Sequence, residues 1–224
     1  MKQRVTSSWI THCVATLSGL ALVAGCAGGG GTRRPVAGPP ATPASVSAPA
    51  VSVQTLYESG RYLEVLATAR TTDAVGLWFT AESHVRLGQR EEARNQYAQL
   101  ASVGATPAWQ AVSDLALALL ADDLEALDRA RAAAIGFDAD PYVQFALGLA
   151  HTRRNDFAAA AQAFDRCADA NPRFAYAYYG AGLAYERLNR ADLMVIRLEM
   201  FQRLANGAPE RPEVDAILRT VRAR

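Results

Sequence analysis

The sequence predicts an all-α fold, a solenoid in which helix–turn–helix units are stacked side by side. Half of the 224 residues are hydrophobic and only 8% are aromatic, which suits one helical domain of ordinary size with a real core. The stretch 141–172 has the pattern of one complete unit, and a shift by one repeat length places Gly148 on Gly182 and Asn155 on Asn189. One unit cannot bury its own apolar face, so the pattern predicts neighbours.

This stretch resembles the tetratricopeptide (TPR) repeat, whose signature is W-x2-L-G-x2-Y, then A-x3-F, then P. The residues in matching positions are Leu147, Gly148, Ala160, Phe164 and Pro172. Two positions depart from the signature, because Gln144 stands where Trp is typical and His151 where Tyr is typical. The resemblance implies a TPR α-solenoid.

The residues that explain the signature physically are present despite these two departures. Small residues at Gly148 and Ala160 let the two helices of the unit approach closely. Phe164 then fills the gap toward the next unit, and Pro172 stops the second helix.

The first unit, 51–72, is short. It turns at Gly60, where glycine supplies the permissive backbone, and its first helix is expected to fray or to act as a cap. The apolar face of its second helix consists of Leu63, Leu66 and Ala67.

The second and third units are 74–106 and 107–140. The second has TPR residue types in the matching slots, which are Ala81, His84, Gly88, Ala93 and Tyr97. The third has helical runs at 108–121 and 124–135 around Asp122 and Asp123, without a glycine at the turn. Only the length of this stretch and its position between units with clearer signatures indicate a third unit.

The fifth unit begins at Ala175, and its second helix departs from the TPR pattern. Met194 stands in the alanine slot and Leu198 in the phenylalanine slot, and the helix ends near Asn206 and a glycine that caps it. The stretch 212–222 predicts a final helix that covers the last apolar surface of the solenoid.

The N-terminal stretch 1–25 resembles a bacterial lipoprotein signal. Lys2 and Arg4 give a positive start, and an apolar run covers 13–23. That run is short for a spanning helix, which needs about 20 residues. The ending LVAGC resembles the lipobox, in which the signal is cleaved before the cysteine, here Cys26, and that cysteine carries acyl chains. The alternatives are an uncleaved membrane anchor and a plain secretory signal.

The residues after Cys26 predict a tether. By resemblance to enterobacterial lipoproteins, alanine at position 27 favours the outer membrane, facing the periplasm. The stretch 27–50 contains four consecutive glycines, Arg33 and Arg34, and several prolines, with no aromatic residue, which predicts a disordered linker. The folded body is therefore expected near a membrane, on a linker of roughly 25–30 Å root-mean-square length.

These elements divide the chain into four predicted parts. They are a lipoprotein signal peptide at 1–25, an acylated cysteine and disordered Gly/Pro/Ala tether at 26–50, a TPR array of about five units at 51–208 with the first and third degenerate, and a C-terminal capping helix at 209–224.

The charge balance argues against binding to nucleic acid or to an anionic membrane surface, and the cysteines argue against a disulfide. Once Lys2 and Arg4 have left with the signal, the basic and acidic residues nearly balance, which gives no electrostatic footprint for nucleic acid or for an anionic membrane surface. Cys13 leaves with the signal and Cys26 is acylated, so Cys167 has no disulfide partner and is expected to be a packed thiol.

No catalytic motif occurs in the sequence, which lacks a phosphate loop, HExxH, CxxC and G-x-S-x-G. His84 and His151 occupy the slot that Tyr185 occupies in the last unit, which favours packing between paired helices. Ser83 and His84 are adjacent and point about 100° apart on a helix, so they cannot form a nucleophile–base pair. We therefore expect no enzyme, cofactor, metal or small-molecule substrate.

The remaining candidate site is a surface. In TPR arrays the first helices line a concave groove, and by slot its aromatic residues here are Trp78, Tyr142, Phe145, Tyr176 and Tyr179. Arginines recur at one equivalent position near the helix ends, at Arg86, Arg153 and Arg187. Both residue types are enriched at binding hot spots, which predicts protein partners in this groove. The alternative is that some aromatics belong to the core between repeats and that the arginines are solvated.

The chaperone-type TPR clamp uses lysine and asparagine in the groove to hold a C-terminal carboxylate. Trp78, Phe145 and Tyr179 stand in those slots, so this function is not expected. The chain resembles instead the small TPR lipoproteins of pilus and secretion systems, such as Tad/Flp pilus assembly or type IV pilotins. The resemblance implies a periplasm-facing lipoprotein that binds protein partners and supports assembly of an envelope complex. The alternative is an adaptor or regulator of cell-wall (peptidoglycan) enzymes.

Overall fold

Every regular element in the computed structural model, which describes residues 51–223, is an α-helix. The predicted signal peptide, Cys26 and the tether lie outside the described residues. The helices are α1 Val53–Glu58, α2 Tyr62–Thr68, α3 Ala74–Arg86, α4 Arg90–Gly104, α5 Pro107–Ala121, α6 Leu124–Ala133, α7 Pro141–Arg153, α8 Phe157–Ala170, α9 Ala175–Arg187, α10 Ala191–Leu204 and α11 Arg211–Arg222.

The helices form five antiparallel pairs followed by α11, which confirms the predicted all-α solenoid. The first helices α3, α5 and α9 each pack on their own second helix and on the second helix of the preceding pair, as α9 packs on both α10 and α8. Pro107 and Pro141 stand in the first turns of α5 and α7, where proline costs no hydrogen bond. The helix bounds of the third unit agree with the runs predicted for it.

The turns inside the five pairs share one backbone conformation. The left-handed residues are Gly60, Gly88, Asp122, Asn155 and Asn189, with φ between 58° and 73°. In each turn the next residue donates its N–H to a carbonyl five positions back, as Gln89 does to His84 at 2.9 Å. Asparagine and aspartate tolerate this region better than most residues, so the third unit forms the same turn without a glycine.

Phe164 lies between two glycines of neighbouring units. A Cβ built on Gly148 would lie 2.5 Å from the Phe164 ring, and one built on Gly180 would lie 2.7 Å from it. Leu198 repeats the arrangement one unit later, because a Cβ on Gly182 would lie 2.5 Å from its side chain. The predicted close approach of the helices and the filling role of Phe164 are therefore confirmed.

The third unit is packed less tightly than its neighbours because it lacks a bulky residue in this slot. Ala130 stands one repeat length before Phe164, and α6 touches α7 only slightly. Polar contacts join the two helices instead. Arg131 donates to His151 Nδ1 at 3.0 Å, and Arg154 pairs with Asp128 at 3.0 Å.

The first unit differs from the prediction in the face that it buries. Leu63 is 69% exposed and Ala67 is exposed as well, whereas Val65 is fully buried. Within residues 51–223, α2 packs mainly on α1 and α3, and Val65 is its buried residue. The predicted apolar face of this helix is therefore wrong.

The two ends of the array meet. A Cβ on Gly60 would lie 2.8 Å from Pro209, and one on Gly207 would lie 3.2 Å from Cβ of Ser59. The backbone N–H of Ala175 donates to the Glu58 carboxylate at 2.8 Å. We call this contact the seam; it joins residues 54–60 and Arg86 to residues 173–176 and 207–210.

Within residues 51–223, no helix combines the length and the apolarity that crossing a membrane requires.

Replacing Phe164 by alanine is expected to lower the free energy of unfolding by about 3–5 kcal/mol, because the ring fills the space between two units and leaves a cavity when removed. The measurement is denaturant unfolding followed by circular dichroism. Phe157→Ala, in the same helix but half-buried, is the matched control and should cost roughly 1 kcal/mol. Equal losses for the two variants would show that the Phe164 slot is not specially packed.

Candidate functional site

The inner side of the array is filled by aromatic rings from the first helices of all five pairs. We call them the inner aromatic cluster: Tyr57, Trp78, Phe79, Trp109, Tyr142, Phe145, Phe174 and Tyr176. Ring centroids are 5.1 Å apart for Trp78 and Tyr142 and 4.8 Å apart for Phe145 and Phe174. Edge-to-face and tilted pairs dominate, and edge-to-face is a favoured geometry of aromatic contacts. The first helices therefore converge on a packed centre.

Four of the five aromatic residues predicted to line an open groove are core residues. Trp78 is 1% exposed, Phe145 4%, Tyr176 0% and Tyr179 2%, and only Tyr142 is half-buried. The expectation that these rings face solvent is wrong for this structure. At the seam, Tyr57 covers Trp78 and Tyr176. Phe145 packs on Phe164 of α8 and Tyr179 packs on Phe201 of α10, so these two rings belong to the core between helices.

The three arginines of the repeated slot have three different partners. Arg153 donates through Nε to Asp122 at 2.8 Å and so joins two successive units. Arg187 is exposed and lies 4.8 Å above the Phe157 ring. Arg86 belongs to the seam. The shared slot therefore gives the arginines a common place on the helix and no common environment.

Arg86 and Tyr176 hold a carboxylate that comes from the other end of the chain. Glu210 receives one bond from Arg86 Nη1 at 2.5 Å and another from the Tyr176 hydroxyl at 2.8 Å, one on each oxygen. The guanidinium carbon also lies 4.7 Å from the Tyr176 ring centroid and 5.8 Å from that of Tyr57. A guanidinium that lies near two aromatic rings and also binds a carboxylate forms a favourable site for an anion.

A second carboxylate under the seam, that of Glu82, links Arg86 through Tyr57 to Tyr97 of α4. Glu82 accepts from the Tyr97 hydroxyl at 2.5 Å and from the Tyr57 hydroxyl at 3.4 Å, and Arg86 Nε donates to Tyr57 at 3.3 Å. Burial raises the pKa of Glu82, and the Tyr97 hydrogen bond and Arg86 oppose that shift. Tyr57, Glu82 and Glu210 therefore belong to one connected hydrogen-bond network around Arg86.

Glu58 is a buried carboxylate at the centre of the seam. It accepts N–H bonds from Ala175 at 2.8 Å and from Gln54 at 3.1 Å, and Gln54 donates in turn to the Arg173 carbonyl at 2.9 Å. Burial raises the pKa of Glu58 to about 7, and the two hydrogen bonds only partly oppose the shift. The seam therefore contains a carboxyl group that titrates near neutrality.

Sequence reasoning missed the residues that close the array. Tyr57, Glu58 and Glu210 belong to no repeated slot, so the period of the repeats gives no signal for them. Phe174 follows Pro172 directly before α9, and only its aromatic type in a linking segment could have drawn attention to it.

The reactive side chains outside the seam are those of His84, His151 and Cys167, and each contacts neighbouring residues of the fold. His84 Nδ1 contacts Gln89 at 2.6 Å, and burial together with Arg131 lowers the pKa of His151. Both histidines make polar contacts near the ends of their helices, and the His151 side chain is largely buried. Cys167 is fully buried, and burial raises the pKa of its thiol. Among residues 51–223 no group of three or more side chains is arranged to hold a metal ion.

Comparison with known proteins gives structural likenesses of low identity. Neither a protein-family model nor a curated protein matches the chain. The solved structure of MamA is 21% identical over 63% of this chain and 83% of that chain, with a TM-score of 0.42. YrrB, titled a TPR protein with an unusual peptide-binding site, is 14% identical over 68% of this chain and 82% of that chain, with a TM-score of 0.41. The Cut9–Hcn1 hetero-tetramer of APC/C is 14% identical over 76% of this chain and 41% of that chain, with the same TM-score. The likeness concerns the helical fold.

Replacing Glu58 by glutamine is expected to stabilise the chain at pH 8 by about 2 kcal/mol and to flatten the dependence of stability on pH. The pKa of Glu58 in the fold lies above its unfolded value of 4.5. Its contribution to stability is therefore complete below about pH 4.5 and is lost as the pH rises through about 7. The measurement is denaturant unfolding at several pH values between 4.5 and 8.5.

The control for this prediction is Glu92→Gln on the exposed side of α4. It should leave the pH profile of unfolding unchanged. A loss of stability in Glu58→Gln at pH 8 would contradict the argument, because it would mean that the hydrogen bonds to the carboxylate outweigh the cost of burying its charge.

Proposed function

We propose that the chain is a lipid-anchored scaffold of a bacterial cell envelope, which binds protein partners through its helical-pair array and supports assembly of an envelope complex such as a pilus or secretion system. The observation that carries the proposal is the array itself. Stacked helix pairs expose an extended surface in which each unit contributes equivalent positions, and such surfaces bind other proteins.

The N-terminal sequence supports the membrane part of the proposal. The residues LVAGC ending at Cys26 resemble a lipobox, and the Gly/Pro/Ala stretch that follows carries no apolar pattern of its own. A lipid on Cys26 would hold the array at a membrane while the tether lets it search for partners. The array would then face the periplasm, and by the resemblance of Ala27 its membrane would be the outer one.

Three of the residues predicted to bind partners have side chains that reach the surface. Tyr142 is half-buried beside Trp109, Arg153 is half-buried at the junction of the third and fourth units, and Arg187 is exposed at the end of α9. These residues are the natural positions at which to look for partner contact in the closed array.

A photo-crosslinking amino acid in place of Tyr142 or Arg187 is expected to capture a small, defined set of envelope proteins in intact cells. The aromatic crosslinker p-benzoylphenylalanine suits Tyr142 because it replaces one ring by another. Captured proteins are identified by mass spectrometry, and subunits of a pilus or secretion system are the expected result.

The matched control is the same crosslinker at Arg94, which is exposed on α4 and belongs to no predicted site. If Arg94 captures the same proteins as Tyr142 and Arg187, or if no position captures any, the proposed partner surface is wrong. Capture of peptidoglycan hydrolases or synthases would instead support the regulator of cell-wall enzymes.

Cys26→Ser is expected to abolish incorporation of labelled palmitate and to leave an unprocessed precursor, because the acylated residue would be absent. Cys13→Ser is the control and should be labelled and processed normally, since Cys13 precedes the cleavage position. Labelling is followed on gels after immunoprecipitation. Equal labelling of both variants would contradict acylation of Cys26.

A further inference from the structure

Glu210 occupies a carboxylate site that is complete only when the array is closed. Its two oxygens are bound by Arg86 on α3 and by Tyr176 on α9. Arg86 and Glu210 are 124 positions apart in the chain, and neither forms this contact through its own repeat. Both side chains are largely buried, with 21% and 13% of their surface exposed. The site therefore binds a carboxylate supplied from outside the repeats that build it.

The first helix pair, which forms one side of the seam, is the smallest pair of the described array. The helix α1 has six residues and α2 has seven, and helices of this length depend on packing for their stability. Within residues 51–223 they pack mainly on each other and on α3. The seam adds the Tyr57–Tyr176 ring contact and the polar contacts of Gln54, Glu58 and Arg86. Because α1 and α2 are short and lie at one end of the described array, opening there should cost less than opening between α8 and α9.

The surface that the seam covers has the residue types of a protein-binding surface. Tyr57 and Tyr176 contact each other at 5.4 Å between ring centroids, and their hydroxyl groups contact Glu82 and Glu210. Tyrosine combines a large apolar ring with a polar tip, which is why it is enriched at binding surfaces. Opening the seam would uncover these rings and Trp78, with the Arg86 charge among them.

We propose that the seam is a reversible clasp, in which a carboxylate of a partner displaces Glu210 from Arg86 and Tyr176 and uncovers the inner aromatic cluster for binding. The inference rests on the proposed function, because it gives the chemistry of the partner: an acidic peptide segment with aromatic or apolar neighbours. The charge of Arg86 and the present occupant of its site both select a carboxylate.

The source of the carboxylate is either an acidic side chain or the C-terminus of a peptide, and probes distinguish the two. The first probe is a blocked pentapeptide with glutamate between two phenylalanines. The second carries glutamine in place of glutamate, and the third carries glutamine but has a free C-terminal carboxylate. Binding is measured by titration calorimetry on the mature chain.

Glu210→Gln is expected to bind the glutamate probe about tenfold more tightly than the unchanged chain, because the internal competitor no longer carries a charge. The glutamine probe should not gain. Glu213→Gln is the matched control; this neighbouring glutamate accepts from Tyr179 at 3.4 Å, and its loss should leave binding of the glutamate probe unchanged. A gain for the free-terminus probe alone would assign the site to a chain end.

A disulfide across the seam tests the clasp in a chain that keeps Glu210. Gly207→Cys together with Ser59→Cys suits this purpose, because a Cβ on Gly207 would lie 3.2 Å from that of Ser59, close to the separation of about 3.8 Å in disulfides. Cys167 is buried, so among the described residues the new pair supplies the only exposed thiols. The oxidised chain should lose binding of the glutamate probe, and reduction should restore it.

Two results would overturn the clasp. One is equal binding of the glutamate probe by the oxidised and reduced forms of the locked chain. The other is a Glu210→Gln variant that keeps its helical melt and gains no affinity. If either of these results appears while the unchanged chain still crosslinks to envelope proteins, the clasp fails and the proposed function stands. If the probes behave as expected and no envelope protein is captured, the proposed function fails while the clasp stands.

Discussion

The packing of Tyr57 against Tyr176, with ring centroids 5.4 Å apart, is the contact on which the closed form of the array depends. It brings the shortest helix pair onto the last one and covers Trp78, whose ring touches residues of α1, α7 and the start of α9. Aromatic side chains contribute large buried areas, so a few rings replace the neighbouring unit that a solenoid end lacks. This contact therefore covers the part of the inner aromatic cluster that lies at the seam.

Closure of the array gives equivalent positions of the repeats different surroundings. In a solenoid each unit contacts only its neighbours, so equivalent slots have equivalent surroundings. Here Arg86, Arg153 and Arg187 occupy one slot, yet they bind a distant carboxylate, a neighbouring turn and a ring, respectively. The difference arises because only Arg86 lies where the two ends meet. The network of Glu82, Tyr57 and Glu210 around it concentrates buried polar groups at the seam, where a change of charge has its largest effect.

The repeats could be predicted from the sequence because their rules are local. The slots of Gly148 and Phe164 impose close helix approach, and both lie in the structure as expected. The turn at Asp122 needed only the tolerance of aspartate for a left-handed backbone. Closure could not be predicted, because contacts such as Glu58 with Ala175 join residues far apart without any period. The aromatic part of the candidate site failed for this reason: Trp78 and Tyr176 fit a groove slot and a core slot equally well until the path of the whole array is known.

The most direct test of the closed array is a nuclear Overhauser experiment between the rings of Tyr57 and Tyr176, with selectively labelled tyrosine. The two residues belong to the first and last helix pairs, so an open solenoid would hold them far apart. The account predicts a cross-peak between their ring protons, which is lost on Tyr57→Leu and kept on Tyr185→Phe. Resolved signals for both rings without a cross-peak would show that the ends do not meet and that the inner aromatic cluster is open.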